Sequence, residues 1–328
     1  MGVARPQPGD RVLWIRFSAF GDVLRAAAAA HRFTLKFPGV RITFLTRPEY
    51  GPLLQNQPYI DNLLFWNVKK HPLDFPKVLS QIRKLNCRYL VSLHRGSAAA
   101  FISLFSGIPL RLGYNSGLQF AYTTTHWEYL DALGVDFTSR DEPSIFAAPA
   151  DLQRARSLLA PLLPRRLFAV IGASKPQKFW PIPHWIAFLK PLIDEGWGIV
   201  LNGHGPDEAR TAEKIEEGLE KSSQVLNLVG QTPFPLMAAI ARECTVAVGN
   251  DTGPLHLASL TGTPTLGFFG VTDAWEMNFR MPWFREVRVT CPKAGCRDYR
   301  CPLDCLADIA PDRALAEFHR MTEDLHRP

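Results

Sequence analysis

The chain has 328 residues, 46% hydrophobic and 21% charged, which suits one large or two medium domains and excludes disorder, collagen or coiled coil as the main state. No apolar run reaches the roughly 18 to 20 residues that span a bilayer, and the opening MGVARPQPGD lacks the apolar stretch of a secretory signal, so a cytoplasmic protein is expected. The formal charge of +6 is uneven: residues 1–163 hold 19 Lys and Arg against 11 Asp and Glu, net +8, and residues 164–328 hold 18 against 20, net −2. A basic front half suits nucleic acid, anionic headgroups or a phosphorylated substrate, or is an ordinary solvated face.

Hydrophobic patterning predicts a strand over Arg11–Arg16, a glycine-containing turn and an alanine-rich helix over Asp22–Phe37. Strands follow at Arg41–Thr46, Asn62–Phe65 and Tyr89–Leu93, with a helix over Asp74–Leu85. A helix opened by Asp151 leads into Ala160–Arg166, whose two prolines read as a connector and divide the chain into domains 1–163 and 164–328. The alternation then restarts: strands at Leu167–Ile171, Gly198–Leu201, Val225–Leu228, Thr245–Val248 and Thr265–Phe269. The intervening helices are Pro183–Glu195, Asp207–Glu220, Leu236–Arg242 and Gly253–Leu260, and Pro311–Leu325 closes the chain. Strands alternating with helices imply an α/β fold of two doubly wound parallel sheets, whose ligands bind beyond the carboxyl ends of the strands.

Four loops occupy such places. In SAFGDVL, Gly21 permits a tight turn and Asp22 falls at a helix start, where a carboxylate either caps the helix or, ionised, accepts a proton from an attacking hydroxyl. The loop has no GxGxxG, which counts against a nicotinamide-dependent oxidoreductase. In GASKPQKFWP, Ser174 offers a hydroxyl to a phosphate and Lys178 a mobile charge for a departing diphosphate. In NGHGPDE, Glu208 is placed to hold ribose hydroxyls or to cap a helix. In GNDTGPLHLA, Asn250, Asp251 and Thr252 supply polar groups, Gly253 lets amides approach a phosphate, and His256, one turn into the helix and facing the same end, is a candidate nucleotide-sugar contact; the alternative is a well-capped helix with a semi-buried histidine.

Together these loops resemble the heptosyltransferases of glycosyltransferase family nine. The likeness rests on FGDVL, on LHRGSAAAFISLFSGIPLRLGY from Leu93 to Tyr114, on KFWP, and on NDTGPLHLA followed by TPTLGFFG, in the same order along nearly the whole chain. The resemblance implies a GT-B architecture, two Rossmann-like domains facing a cleft. It implies an inverting, metal-independent transfer of heptose from ADP-heptose to an inner-core lipopolysaccharide acceptor. Asp22 would be the general base; Lys178, Ser174, Thr252 and Gly253 would contact the diphosphate, Asp251 the heptose hydroxyls and Glu208 the ribose. Arg95 and Arg111, inside the matching stretch, would contact the acceptor, and the enzyme would touch the cytoplasmic face of the inner membrane. Two other readings compete: a GT-B transferase with a different nucleotide sugar, and a non-catalytic nucleotide-sugar or nucleic-acid binding protein. The basic half lacks interleaved aromatics, so no nucleic-acid partner is expected.

Cys291, Cys296, Cys301 and Cys305 crowd into fifteen residues, spaced by four, four and three. Such spacing could close a tetrahedral thiolate site, although no CxxC pair occurs; reduced packing thiols or local disulfides are the alternatives, and the family chemistry needs no cofactor.

Overall fold

The computed structural model describes residues 5–113, 118–125, 142–274 and 281–325; Tyr114, the last residue of the family-like stretch, lies outside them. The chain divides into two compact units, residues 1–139 with 144–146, and residues 140–143 with 147–328.

The first unit is built on β1 (Arg11–Ile15), β2 (Arg41–Thr46), β3 (Asn62–Phe65), β4 (Tyr89–Ser92), β5 (Leu110–Gly113) and β6 (Thr124–Thr125). They form one sheet in the order β3-β2-β1-β4-β5-β6, with every pairing parallel. Its helices are α1 (Phe20–Lys36), the single turn α2 (Gly51–Leu54), α3 (Phe75–Lys84) and α4 (Ser97–Phe105). β1 and β4 are buried almost throughout, as near-continuous apolar runs covered on both faces must be. Small residues on α1 (Ala26, Ala27, Ala28 and Ala30, all buried) let the helix lie close on the sheet.

The second unit contains α5 (Pro149–Leu159), β7 (Arg166–Val170), α6 (Ile182–Asp194), β8 (Gly198–Asn202), α7 (Pro206–Gly218), β9 (Val225–Asn227), α8 (Phe234–Glu243), β10 (Val246–Asn250), α9 (Gly253–Leu260), β11 (Thr265–Phe269), β12 (Phe284–Arg288) and α10 (Pro311–Leu325). The sheet order is β12-β11-β10-β7-β8-β9, again all parallel. An aromatic cluster fills one side, where Trp180 lies 4.4 Å from Phe268 and 5.0 Å from Trp185, ring centre to ring centre.

The expected doubly wound α/β class is found in both units, but the boundary expected after residue 163 moves to 143–147. α5 belongs to the second unit because it buries Ala155 and Leu159, and its Arg156 pairs with Glu243 of α8 at 2.9 Å. The proline-rich segment after it is therefore a turn inside that unit. Patterning also missed α4, β5, β6 and β12; the last is an edge strand, FREVR, mostly polar and half-exposed. Among the described residues no helix is long and apolar enough to cross a membrane.

Candidate active site

In each sheet the strand order reverses once around the first strand of the unit, between β1 and β4 and between β7 and β10. Adjacent loops diverge there and leave a crevice at the carboxyl ends of the strands. Three of the four loops singled out in the sequence open at these two places, and the fourth, NGHGPDE, follows β8 beside them.

In the first unit, Asp22 occupies the third position of α1, reaching back to accept a hydrogen bond from the Ala19 amide at 3.2 Å. It is thus a helix-start carboxylate, and it does more than cap. Arg16, directly after β1, and Arg25, one turn along α1, both pair with it. Arg16 also donates to the Leu93 carbonyl beyond β4, so its guanidinium bridges the two strand ends and ties the carboxylate to them. Burial acts to raise the Asp22 carboxyl, but the two guanidiniums and the hydrogen bonds outweigh it and hold it below the usual carboxylate range. Asp22 is therefore ionised throughout the neutral range.

His94 shares this place. Its ring packs edge-on against Phe17 at 5.1 Å, and Gly96 leaves it room, since a Cβ there would lie 2.8 Å from its Nε2. Burial first, then the Arg16 charge, push the imidazole down to about 4, against a smaller opposing pull from Asp22. A histidine held neutral in the fold but free to protonate when unfolded costs stability in acid. The sign follows: its contribution is intact above the ordinary value of 6.5 and is lost as pH falls from there toward 4. Urea midpoints measured from pH 7 to 4.5 should accordingly fall less steeply for His94→Gln than for the unsubstituted protein. Parallel curves would show that His94 takes up its proton as readily in the fold as in the unfolded chain.

Of the two expected acceptor contacts, Arg95 is exposed just before α4, whereas Arg111 is spent internally. Its Nε donates to the Ala121 carbonyl at 3.0 Å and its Nη1 to that of Ile108 at 2.8 Å, bracing β5 against the turn that follows.

In the second unit the ends of β7, β10 and β11 converge on Asp251. Lys178 Nζ lies 2.6 Å from Asp251 Oδ2 and 3.2 Å from its carbonyl, Thr272 Oγ1 donates to the same Oδ2 at 2.6 Å, and His256 Nε2 stands 3.6 Å from Oδ1. The Asp251 side chain is only 3% exposed and that of Lys178 14%. Burial acts to raise the Asp251 carboxyl, but His256 and Lys178 overcome it and hold it far below the usual range. Expected at the sugar hydroxyls, Asp251 has its Oδ2 engaged by Lys178 and Thr272, while its Oδ1 faces His256 at 3.6 Å. The ammonium gives two protons to Asp251; among the described residues nothing takes the third.

The KFWP segment explains how Lys178 is held. Two residues on, Trp180 is buried, its indole donating to the Ile309 carbonyl at 2.9 Å and its amide to Asn250 Oδ1 at 3.3 Å. Truncating such a tryptophan to alanine costs about 3 to 5 kcal/mol, so the loop is pinned by core packing. Asn250, read as part of a loop, ends β10, and its amide group donates to the carbonyls of Ile171 and Gly172 at 2.9 and 3.3 Å. Thr252 precedes α9, but its hydroxyl turns back to the Asn250 carbonyl at 3.3 Å, leaving the helix start without a side-chain cap. Amides at an uncapped helix start attract anions.

Ser174 is exposed in the loop after β7, on the same segment as Lys178. Glu208, in the first turn of α7, accepts from the His204 amide at 2.6 Å, and burial raises its carboxyl. A Cβ on Gly172 would fall 1.8 Å from its Oε2, so the glycine is what admits the carboxylate to the end of β7.

All six cysteines are free of disulfides, and among the described residues no group of three or more His, Cys, Asp or Glu side chains is placed to hold a metal ion. Burial raises the Cys305 thiol, and the charges of Cys301, Cys296 and Cys291 add to the effect. The segment instead straps the site: Gln177 Nε2 donates to the Cys301 carbonyl at 3.1 Å, and the amides of Gly295 and Arg297 donate to the carbonyls of Gly270 and Val271, each at 2.8 Å.

Arg16, Arg25, His94 and Thr272 are the site-forming residues that sequence reasoning missed. Arg16, His94 and Thr272 stand within three residues of a strand end, and Arg25 lies one helical turn beyond Asp22, which are the signals that could have found them.

Known proteins resemble this chain in sequence and in fold. The family model described as glycosyltransferase family 9 (heptosyltransferase) matches residues 132–307. Lipopolysaccharide heptosyltransferase 2 of Salmonella typhimurium is 28% identical over 354 residues, covering 96% of this chain and 99% of that one. A glycosyltransferase family 9 structure from Veillonella parvula superposes with a TM-score of 0.84 at 16% identity, over 99% of both chains. The structure of the E. coli ADP-heptose lps heptosyltransferase II gives 0.77 at 19% identity, over 97% of this chain and all of that one. The fold is thus the GT-B class with two Rossmann-like domains, and the family match spans more than half of the sequence. The chain is a glycosyltransferase and belongs to glycosyltransferase family 9, the heptosyltransferase family.

Proposed function

We propose that the protein transfers heptose from ADP-heptose to an inner-core lipopolysaccharide acceptor, with inversion at the anomeric carbon. The observation that carries this reading is the half-buried Lys178 ammonium, held by Asp251 at the carboxyl ends of β7 and β10, in the same unit as the uncapped start of α9. Positive charge and free amides at a switch point suit a diphosphate, and they meet the charge that grows as ADP departs. Ser174, Thr252 and Gly253 are assigned to the same diphosphate, His256 to holding Asp251, and Glu208 to the ribose.

Asp22 accepts the proton of the acceptor hydroxyl as that oxygen attacks the anomeric carbon and the bond to the ADP oxygen breaks. In this displacement the leaving charge is met by Lys178 and amides, so no catalytic metal is invoked. Arg95 is the acceptor contact retained; Arg111 serves by fixing β5. The basic front half draws a phosphorylated, lipid-anchored acceptor at the cytoplasmic face of the inner membrane. The transfer rate on a phosphorylated acceptor should therefore fall as salt is raised from about 50 to 500 mM, as exposed charges are screened; a rate indifferent to salt would remove the charge from this role. The decisive assay is ADP release from ADP-heptose with a panel of lipid A-Kdo and heptosylated acceptors. Release only from another nucleotide sugar would favour a different GT-B transferase.

A further inference from the structure

Six of the twelve exposed large apolar side chains among the described residues fall between positions 65 and 120. Five of them gather around one helix. Phe101, Leu104 and Phe105 occupy the outer side of α4, and the rings of Phe101 and Phe105 stack at 6.5 Å. Phe105 meets Phe75 at 6.3 Å, two residues after Leu73, which is 91% exposed. Phe120, 65% exposed, sits in the turn Gln119–Ala121, which Ser103 of α4 holds through a 2.8 Å hydrogen bond to the Ala121 carbonyl. Exposed aromatic and leucine side chains gathered around one helix are costly in water and call for a partner.

The charge around it states which partner. From residue 62 to 125 the sequence carries eight Lys and Arg against one acid, Asp74. Arg83 donates from Nε and Nη2 to the Phe105 carbonyl at 3.2 and 2.7 Å, so a guanidinium borders the aromatic patch directly. Lys84 is exposed beside it, and Lys69 and Lys70 are exposed just before Leu73. A protein partner would match basic groups one by one with acids, whereas aromatic side chains ringed by mobile lysines suit the interface of an anionic bilayer.

We propose that the outer side of α4, with Leu73 and Phe120, is a docking face for an anionic phospholipid bilayer. The proposal names the surface for the membrane contact given above and rests on that part of the proposed function alone. α4 opens at Ser97, three residues beyond His94, so the docking face follows closely in the chain on the edge of the Asp22 site. A lipid-anchored acceptor would then meet Asp22 without leaving its leaflet.

Co-sedimentation of the full chain with phosphatidylethanolamine and phosphatidylglycerol vesicles, against phosphatidylcholine vesicles, tests this. The protein should bind the anionic vesicles and be released by about 500 mM salt. The Leu73→Ser, Phe101→Ser, Phe120→Ser triple variant should lose binding by at least about tenfold, its fold checked by circular dichroism. A second variant, Lys69→Gln, Lys70→Gln, Lys84→Gln, should lose about fivefold per charge and guards against misfolding of the first. The apolar triple variant should transfer sugar to a delipidated, water-soluble acceptor at the unsubstituted rate. Failure of the unsubstituted protein to bind anionic vesicles at low salt overturns the proposal, as does binding unchanged in both variants. A triple variant that instead turns a dimer into a monomer, with vesicle binding intact, assigns the face to a second copy and also overturns it. Absence of transfer from ADP-heptose in a protein that binds vesicles through this face would refute the proposed reaction and leave the docking face standing.

Discussion

Asp22→Asn should lower kcat by about 10²- to 10⁴-fold, the usual worth of a positioned general base, while donor affinity changes by less than about twofold. The amide keeps the size of the side chain and can still accept from Ala19, so α1 retains its start. It loses the charge that Arg16 and Arg25 hold and the ability to take a proton. The loops assigned above to the donor belong to the other unit, which is why binding of ADP should be spared. With its carboxyl held below the usual range, the base should impose no change in rate between about pH 6 and 8, and the acid limb should lie below the ordinary carboxylate value of 3.8. Steady-state kinetics with an ADP-release readout, together with calorimetric titration of ADP, separates the two quantities. Turnover within about threefold of normal would remove Asp22 from the chemistry.

The second large effect is expected at Asp251. Asp251→Ala should destabilise the protein by about 3 to 5 kcal/mol, because it strands the Lys178 ammonium, 14% exposed, without its counter-charge. In a unit of this size that is a fall in Tm of roughly 10 °C. Thr272 loses its acceptor and His256 its neighbour at the same time. Donor affinity should fall with stability, since Lys178 is then no longer aimed. Adding Lys178→Met should restore part of the stability and none of the donor binding, a split that separates the cost of an unpaired charge from the loss of the site. Calorimetric unfolding of the three variants measures it, and equal Tm values for Asp251→Ala and the unsubstituted protein would contradict the pairing. The sign with pH is settled by the direction of the shift. A carboxyl depressed in the fold contributes fully above its unfolded value of 3.8, and that contribution is lost as pH falls below it.

Much of this arrangement could be read before any coordinates. The alternation of apolar strands with amphipathic helices fixes two parallel sheets, and residues just after strands are then candidates on topological grounds alone. Asp22, Lys178, Glu208 and the NDTG turn were all found in that way. Asn250 was placed one element too late because glycine before it reads as a loop, whereas Gly249 is a strand residue whose missing Cβ lets β10 pack against Val170 of β7, an added Cβ lying 2.3 Å from its carbonyl oxygen. The domain boundary was misplaced because prolines mark a turn without saying which core the preceding helix packs on.

What the amino-acid order determined by itself was local: periodicity, turn chemistry and the kinds of groups at each strand end, all set by neighbours within a few residues. Tertiary structure alone decided which of those groups meet. Asp251 lies 73 positions from Lys178 and 21 from Thr272, and Arg16 lies 77 from Leu93. Those pairings exist because parallel strands bring distant loops to one edge, and in that low-dielectric edge a charge is tolerated only when its partner is already in place.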